Sequence, residues 1–314
     1  MIVSRLCFGS LGLGPLQANL PVAEGAKVIR IALELGVNFI DTAEIYQTYP
    51  YIRAALKGYP QQVHVASKSY AYTANAMEQS LFQALNELGL EQISLFLLHE
   101  QESAHTLRGH HAALERLVRA KEEGLVGAIG LSTHYIAGVR AAAATAEIDV
   151  IHPLLNQAGL GIMDGTAAEM LEAINFARQM GKGIYGMKAL AGGHLHKQSG
   201  AALEWAWHLP QLDSVAVGMK TVEEVQANVA ILEAVSQGRA VTADPMVAQL
   251  LTQIEATPKR LLIEEWCEGC GACVRRCPNK ALQLTAGKAE VNRMSCVLCG
   301  YCGAVCPVFA LKII

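Results

Sequence analysis

Two stretches near the C-terminus, CEGCGACVRRCP at 267–278 and CVLCGYCGAVCP at 296–307, hold eight of the chain's nine cysteines. Each reads C-x₂-C-x₂-C-x₃-C-P, and every cysteine of the first recurs 29 residues later in the second. Gly271/Gly300, Pro278/Pro307, Ala281/Ala310 and Leu282/Leu311 repeat at the same offset, so the segment is an internal duplication. A stretch as short as 259–314 buries little core and needs a staple. The opening residues, MIVSRLCFG, lack the apolar stretch of a targeting signal, and no apolar run approaches a membrane span. The expectation is a cytoplasmic protein with no membrane contact, whose thiols stay reduced and bind metal rather than pair as disulfides. Zinc takes four cysteines as two separated C-x₂-C pairs around one point. Three cysteines in tandem suit the corners of a cubane, which predicts two [4Fe–4S] clusters around which residues 259–314 fold.

This spacing resembles that of the bacterial two-cluster ferredoxins. In that pattern the fourth cysteine of each motif ligates the other motif's cluster. The resemblance implies one cluster on Cys267, Cys270, Cys273 and Cys306, and a second on Cys296, Cys299, Cys302 and Cys277. Cys7, alone in an apolar run, reads as a packed thiol.

Upstream, short apolar runs alternate with amphipathic segments. The runs are VSRLCFGS from Val3, VNFID (37–41), VHVASK (63–68), ISLFLLH (93–99), VGAIGLS (126–132), DVIHPLLN (149–156), GIYGMKAL (183–190) and SVAVGM (214–219). Each has the composition of a strand buried on both faces. Segments 73–89, 167–183 and 221–235 have helical spacing, and the first runs from a Thr start to a Gly stop. Eight strand–helix units in residues 1–240 predict a (β/α)₈ barrel. A doubly wound open sheet is the alternative, but GSLGLG (9–14) lacks the G-x-G-x-x-G spacing of its first turn. Residues 241–258 read as a helical linker, and 259–314 as a small α+β ferredoxin-like domain.

Net charge is −3, from 25 basic and 28 acidic side chains, which argues against nucleic-acid binding. From Lys259 onward eight bases meet only four acids, whereas the remainder has seven more acids than bases. That basic surplus can dock an acidic partner or offset the negative charge of bound clusters. The second reading is preferred on sequence.

Three strands end on chemistry. VNFID ends on Asp41, VHVASK on Lys68 and ISLFLLH on His99, and Tyr46 follows in DTAEIY. Singly, each has a structural explanation as a helix cap, a snorkelling amine or a hydrogen-bonded ring. In a barrel all strand C-termini share one face, and that face carries the active site. There Tyr46 can give a proton to a carbonyl oxygen, Lys68 can lower the Tyr46 pKa, Asp41 can hold Lys68, and His99 can orient the carbonyl.

On GSLGLG, NFIDTAEIY (38–46), VASK (65–68), LGLEQISLFLLH (88–99) and VGAIGLSTH (126–134), residues 1–240 resemble the aldo-keto reductase family. With the cysteine-rich tail, the chain resembles its iron–sulfur branch. The resemblance implies a catalytic tetrad of Asp41, Tyr46, Lys68 and His99. It also implies a nicotinamide nucleotide at the same barrel face, and a carbonyl or alcohol substrate. Ser132 and Thr133 stand at the family's Ser-Asn pair, His152 at its carboxamide-binding glutamine and Met187 at its stacking aromatic. The nucleotide loop corresponds to GMKTVEEVQAN (218–228), which begins at Gly218 and keeps Asn228. Glu224 replaces an arginine that meets the 2′-phosphate, while Lys188 and Lys220 can compensate, so NADH and NADPH both stay open.

Three functions follow as expectations. One is NAD(P)H-dependent carbonyl reduction or its reverse, with the clusters appended. Another is a ferredoxin-coupled reductase using cluster electrons, with or without a flavin. The third is an electron carrier whose barrel docks an electron-transfer protein. The substrate walls fall to loops 99–111 and 191–200, whose histidines 105, 110, 111, 194 and 196 read as solvated.

Overall fold

The computed structural model describes residues 1–241 and 244–314. Eight parallel strands close into a barrel in chain order. They are β1 (Leu6–Gly9), β2 (Phe39–Asp41), β3 (His64–Ser69), β4 (Ile93–Leu98), β5 (Val126–Thr133), β6 (Val150–Pro153), β7 (Gly183–Met187) and β8 (Ser214–Gly218). β8 closes on β1 with Leu6 opposite Val215 and Gly9 opposite Gly218. The helices on the outside are α1 (Val22–Glu34), α2 (Tyr49–Leu56), α3 (Ala74–Leu88), α4 (Ala104–Gly109), α5 (His111–Glu122), α6 (Ile136–Ala143), α7 (Ala167–Gln179), α8 (Ser199–His208) and α9 (Val222–Ser236). The capping signals work as the sequence suggests. The Thr73 side chain accepts from Ala76 N, and Gly89 ends α3 in the left-handed region at φ 69°.

Strand alternation sorts the barrel into two cores. One set of residues packs between strands and helices, among them Phe8, Ile40, Val65, Phe96 and Ile129. The other fills the barrel's interior: Cys7, Phe39, Ala66, Leu95, Leu97 and Tyr185. Because side chains alternate along a strand, continuing the interior set by two residues reaches Asp41 from Phe39, Lys68 from Ala66 and His99 from Leu97. Asp41, Lys68 and His99 are thus the top layer of the interior stack, and Tyr46 lies in the short 3₁₀ turn that follows β2. Cys7 is fully buried in that stack.

The linker stretch contains α10 (Pro245–Ala256), capped by Asp244; residues 242–243 of the expected linker lie outside the described residues. The C-terminal region is built from β9 (Leu261–Ile263), α11 (Ala272–Arg276), the hairpin β10 (Leu282–Thr285) and β11 (Lys288–Val291), and β12 (Leu311–Ile313). β12 pairs antiparallel with β9. The duplication extends to the backbone. Gly269 and Leu298, Gly271 and Gly300, and Lys280 and Phe309 all have positive φ, at 66° and 53°, 74° and 80°, and 50° and 47°.

The two halves of the duplication differ where they face the barrel. Lys280 is exposed, whereas Phe309, in the same backbone conformation, is 2% exposed. The Phe309 ring enters a socket made by the loops after β6 and β7. A Cβ at Gly161 would stand 2.9 Å from the Phe309 ring, and one at Gly192 would stand 3.3 Å from it. Gly193, at φ 86°, lies so close to Ile313 that a Cβ there would fall 1.8 Å from its carbonyl oxygen. His194 Nε2 donates to the Leu311 carbonyl at 2.7 Å, with its ring against Gly300 and Gly303. His194 is therefore a docking residue, not the solvated loop histidine expected from sequence. The glycines beside it leave the room that the docked strand occupies.

Candidate active site and the two cysteine clefts

At the C-terminal mouth of the barrel, Lys68 Nζ donates to both Asp41 oxygens at 2.8 Å and to the Thr42 carbonyl at 2.7 Å. Three acceptors satisfy all three ammonium protons, which makes burial of the pair tolerable. Lys68 is 1% exposed and Asp41 5%. The ammonium also lies 5.0 Å from the centre of the Tyr46 ring. Tyr46 meets His99 edge-on at 5.9 Å, and His99 stacks on Tyr70 at 4.3 Å. All four candidates of the tetrad are thus in one neighbourhood. His99 Nδ1 is buried without a protein partner, a polar group left over for a bound molecule.

The electrostatics differ from the sequence expectation in one respect. Lys68 does not pull the Tyr46 phenol down. Burial, helped by the Asp41 and Glu100 carboxylates, pushes it well above its ordinary value. The reason is that the Lys68 charge is spent on Asp41. Tyr46 is accordingly held protonated, as a proton donor must be. Burial and the neighbouring Lys68, His152 and Lys188 hold His99 well below the ordinary histidine range, so its ring is neutral.

Several groups here escaped the sequence reading. Tyr185 donates from its hydroxyl to Asp41 Oδ1 at 3.0 Å. It sits two residues before Met187 on the inward side of β7, so strand alternation alone could have found it. Tyr70 donates to Glu100 Oε2 at 2.7 Å. Gln101 has a buried Oε1 without a partner, and its Nε2 donates to the His99 carbonyl at 3.2 Å.

The residues expected to hold nucleotide are distributed less uniformly. Ser132 points inward beside His152 in the β5–β6 register. Its hydroxyl accepts from Glu100 N at 2.9 Å, and Thr133 Oγ1 accepts from Tyr135 N at 2.9 Å. His152 Nδ1 donates to the Tyr185 carbonyl at 2.6 Å, and its ring stacks on Tyr185 at 3.7 Å. Its Nε2 lies 3.7 Å from Asp41 Oδ1. His152 thus supports the tetrad from below, and burial brings its pKa down to about 4. Lys188, at φ 59°, turns to His134 Nε2 at 3.1 Å and to the Phe309 ring at 5.2 Å, toward the C-terminal domain. Met187 is half-buried, and Asn228 is 8% exposed on α9. Glu224 Oε2 accepts from Lys220 N at 2.7 Å, so its carboxylate already occupies the start of α9. Gly218 is exposed at the end of β8, with nothing within 4 Å of where a Cβ would be. That open backbone, half-buried Met187 and inward Ser132 leave this face able to take a nicotinamide nucleotide.

In the C-terminal domain the eight thiols sort into two clefts. Cys277, Cys296, Cys299 and Cys302 line the larger, and Cys267, Cys270, Cys273 and Cys306 the smaller. Cys277 and Cys306 have each changed sides relative to their own motifs. Among the described residues, no three His, Cys, Asp or Glu side chains converge as ligands of one ion. Four thiols spread around a cleft fit a cubane, which takes one thiolate per iron, better than a single tetrahedral ion. Backbone amides reinforce the donor set, with Ala281 N donating to Cys277 Sγ at 3.3 Å and Ala310 N to Cys306 Sγ at 3.2 Å. β12 separates these clefts from the barrel. Leu311 lines one cleft and Ile313 the other. Between them Lys312 turns to Phe309, its Nζ 3.2 Å from the ring centre and bonded to the Phe309 carbonyl.

A closed parallel barrel with a charged, partly desolvated site at its C-terminal face, joined to a domain with two thiol-lined clefts, defines an oxidoreductase architecture. Residues 5–201 match the aldo/keto reductase family, and residues 260–307 match the 4Fe-4S dicluster domain. The chain belongs to the aldo/keto reductase family. It is 28% identical to methylglyoxal reductase DkgA of Yersinia pestis over 210 residues, 63% of this chain and 74% of that protein. Over 54 residues it is 35% identical to one component of an ion-translocating oxidoreductase complex from Methanosarcina acetivorans, 17% of this chain and 20% of that one. A Pseudomonas aeruginosa structure assigned to the aldo-keto reductases superposes with a TM-score of 0.64 at 26% identity, covering 74% of this chain and 92% of its own. No helix among the described residues is long and apolar enough to cross a membrane.

Proposed function

We propose that the barrel reduces an aldehyde or ketone to the alcohol, or runs the reverse, with a nicotinamide nucleotide, and that the C-terminal domain holds two [4Fe–4S] clusters. The observation that carries the reading is the contact chain from Asp41 through Lys68 and Tyr46 to His99 at the barrel mouth. A bound reduced nicotinamide supplies hydride to the carbonyl carbon. Tyr46, kept protonated by burial, delivers its hydroxyl proton to the carbonyl oxygen as negative charge develops there. His99, neutral and with an unpartnered ring nitrogen, orients that oxygen. Asp41, held by Lys68 and Tyr185, fixes the ammonium beneath the Tyr46 ring. Ser132, Met187, Gly218 and Asn228 are the residues assigned to nucleotide contact, and the Glu224 carboxylate at the start of α9 favours NADH over the 2′-phosphorylated form. The test is anaerobic turnover with each nucleotide against a panel of small aldehydes. Nucleotide oxidation that depends on the aldehyde supports the proposal, and none with either nucleotide rejects it.

A second reading has its own support in β12. One strand separates the thiol-lined clefts from Lys188 and the barrel mouth, a short path for electrons from clusters to the barrel with or without a flavin. The optical spectrum of anaerobic protein, and carbonyl reduction driven by a one-electron reductant without nucleotide, would favour it.

A further inference from the structure

The barrel covers only one side of the C-terminal domain. Phe309 is plugged into the barrel loops, and Gly300 and Gly303 back onto His194. The remaining surface around the larger cleft is unusual for a small domain. Met294 is 96% exposed, Val297 59% and Tyr301 51%. Val297 and Tyr301 line the cleft itself, and Cys299 within it is exposed.

Three bases stand on the segments that carry this apolar centre. The Arg276 guanidinium lies 4.5 Å from the centre of the Tyr301 ring. Asn292 N donates to the Ala281 carbonyl at 2.8 Å, and Asn279 Nδ2 to the Ser295 carbonyl at 3.4 Å. These bonds bring exposed Lys280 beside the turn that carries exposed Arg293. None of the three bases forms an ion pair among the described residues. The domain's acids lie elsewhere. Glu268 lines the other cleft, Glu290 is engaged by Thr285 and Gln283 on the hairpin, and Glu264 and Glu265 adjoin β9. Three of the eight bases that the sequence reading assigned to cluster compensation thus stand together, with no acid of the domain among them.

We propose that the surface centred on Tyr301 and Val297 and carrying Arg276, Lys280 and Arg293 is the docking site of an acidic one-electron carrier protein. The inference rests on residues 267–306 holding clusters. An apolar centre over a thinly covered redox group shortens the path between partners. A basic group without acids among it selects an acidic partner and speeds encounter without needing a large interface. Were the bases only offsetting bound negative charge, they would have no need to stand on the segments that carry exposed apolar side chains.

The experiment is calorimetric titration of the anaerobically loaded full chain with an acidic plant-type [2Fe–2S] ferredoxin, with basic cytochrome c as the opposite-charge control. Neither nucleotide nor aldehyde is present, so the outcome is independent of carbonyl reduction. Ferredoxin should bind, with affinity falling roughly tenfold between low and moderate salt. The charge reversal R276E/K280E/R293E should weaken it more than tenfold, and the milder R276Q/R293Q by several-fold, with iron content unchanged. Ferredoxin binding that is undetectable, insensitive to these substitutions, or weaker than that of cytochrome c overturns the proposal.

Discussion

Lys68 and Asp41 form a bidentate ion pair of 2.8 Å inside the barrel mouth, and the pair, not Lys68 alone, is the electrostatic unit beneath Tyr46. Lys68→Met leaves a buried carboxylate whose remaining side-chain donor among the described residues is Tyr185. Breaking a buried pair in this way costs about 3–5 kcal/mol. Urea denaturation should show that loss, and Asp41→Asn added to Lys68→Met should restore a good part of it while leaving turnover abolished. Stability unchanged in the single variant would mean that the pair is solvated.

Acid should destabilise the protein through its buried histidines. The native pKa of His152 is about 4, against about 6.5 in the unfolded chain. The unfolded state therefore takes up a proton first as pH falls below 6.5, and stability drops until about pH 4. Linkage puts the contribution of His152 at about 3 kcal/mol over that window. His152→Gln should flatten the slope in denaturation curves measured at pH 7, 5.5 and 4.5. Carbonyl reduction itself should be level from pH 7 to 9, because Tyr46 is pushed up and stays protonated.

Phe309 should behave as an anchor. Its duplicate, Lys280, shows that the ferredoxin-like fold does not itself require an aromatic there. Phe309→Lys should leave both clefts intact and loosen the domain from the barrel. Amide exchange at residues 188–196 should rise, with little change at 267–306. Uniform exchange across the chain would contradict the docking role.

The two clefts predict crossed ligation. Cys277→Ser should disturb the cluster associated with Cys296, Cys299 and Cys302, lowering iron from about eight toward about four per chain. EPR of the reduced protein should retain the signal belonging to Cys267, Cys270 and Cys273. Loss of that signal instead would place Cys277 with its own motif.

Much of this was legible before the fold. The barrel strands announced themselves because a strand buried on both faces cannot avoid being apolar, and the tetrad candidates stood out as chemistry at apolar ends. The cysteine duplication was clear from spacing alone. Tyr185 and His152 were less clear, since their roles depend on strand parity and on rings stacking across β6 and β7. The sense of the Tyr46 shift was misjudged because sequence gives the neighbours of a charge but not which of them neutralises it. Phe309, Lys188 and His194 were out of reach, because their positions follow from how one domain sits on the other.

The central claim is that Tyr46 is the proton donor in carbonyl reduction. Tyr46→Phe keeps the ring above Lys68 and beside His99 and removes only the hydroxyl. Single-turnover reduction of an aldehyde by the nucleotide-loaded full chain measures the chemical step directly. A drop of about 10²–10⁴ in that rate with nucleotide affinity unchanged is the predicted result, and a rate near wild type would contradict the account.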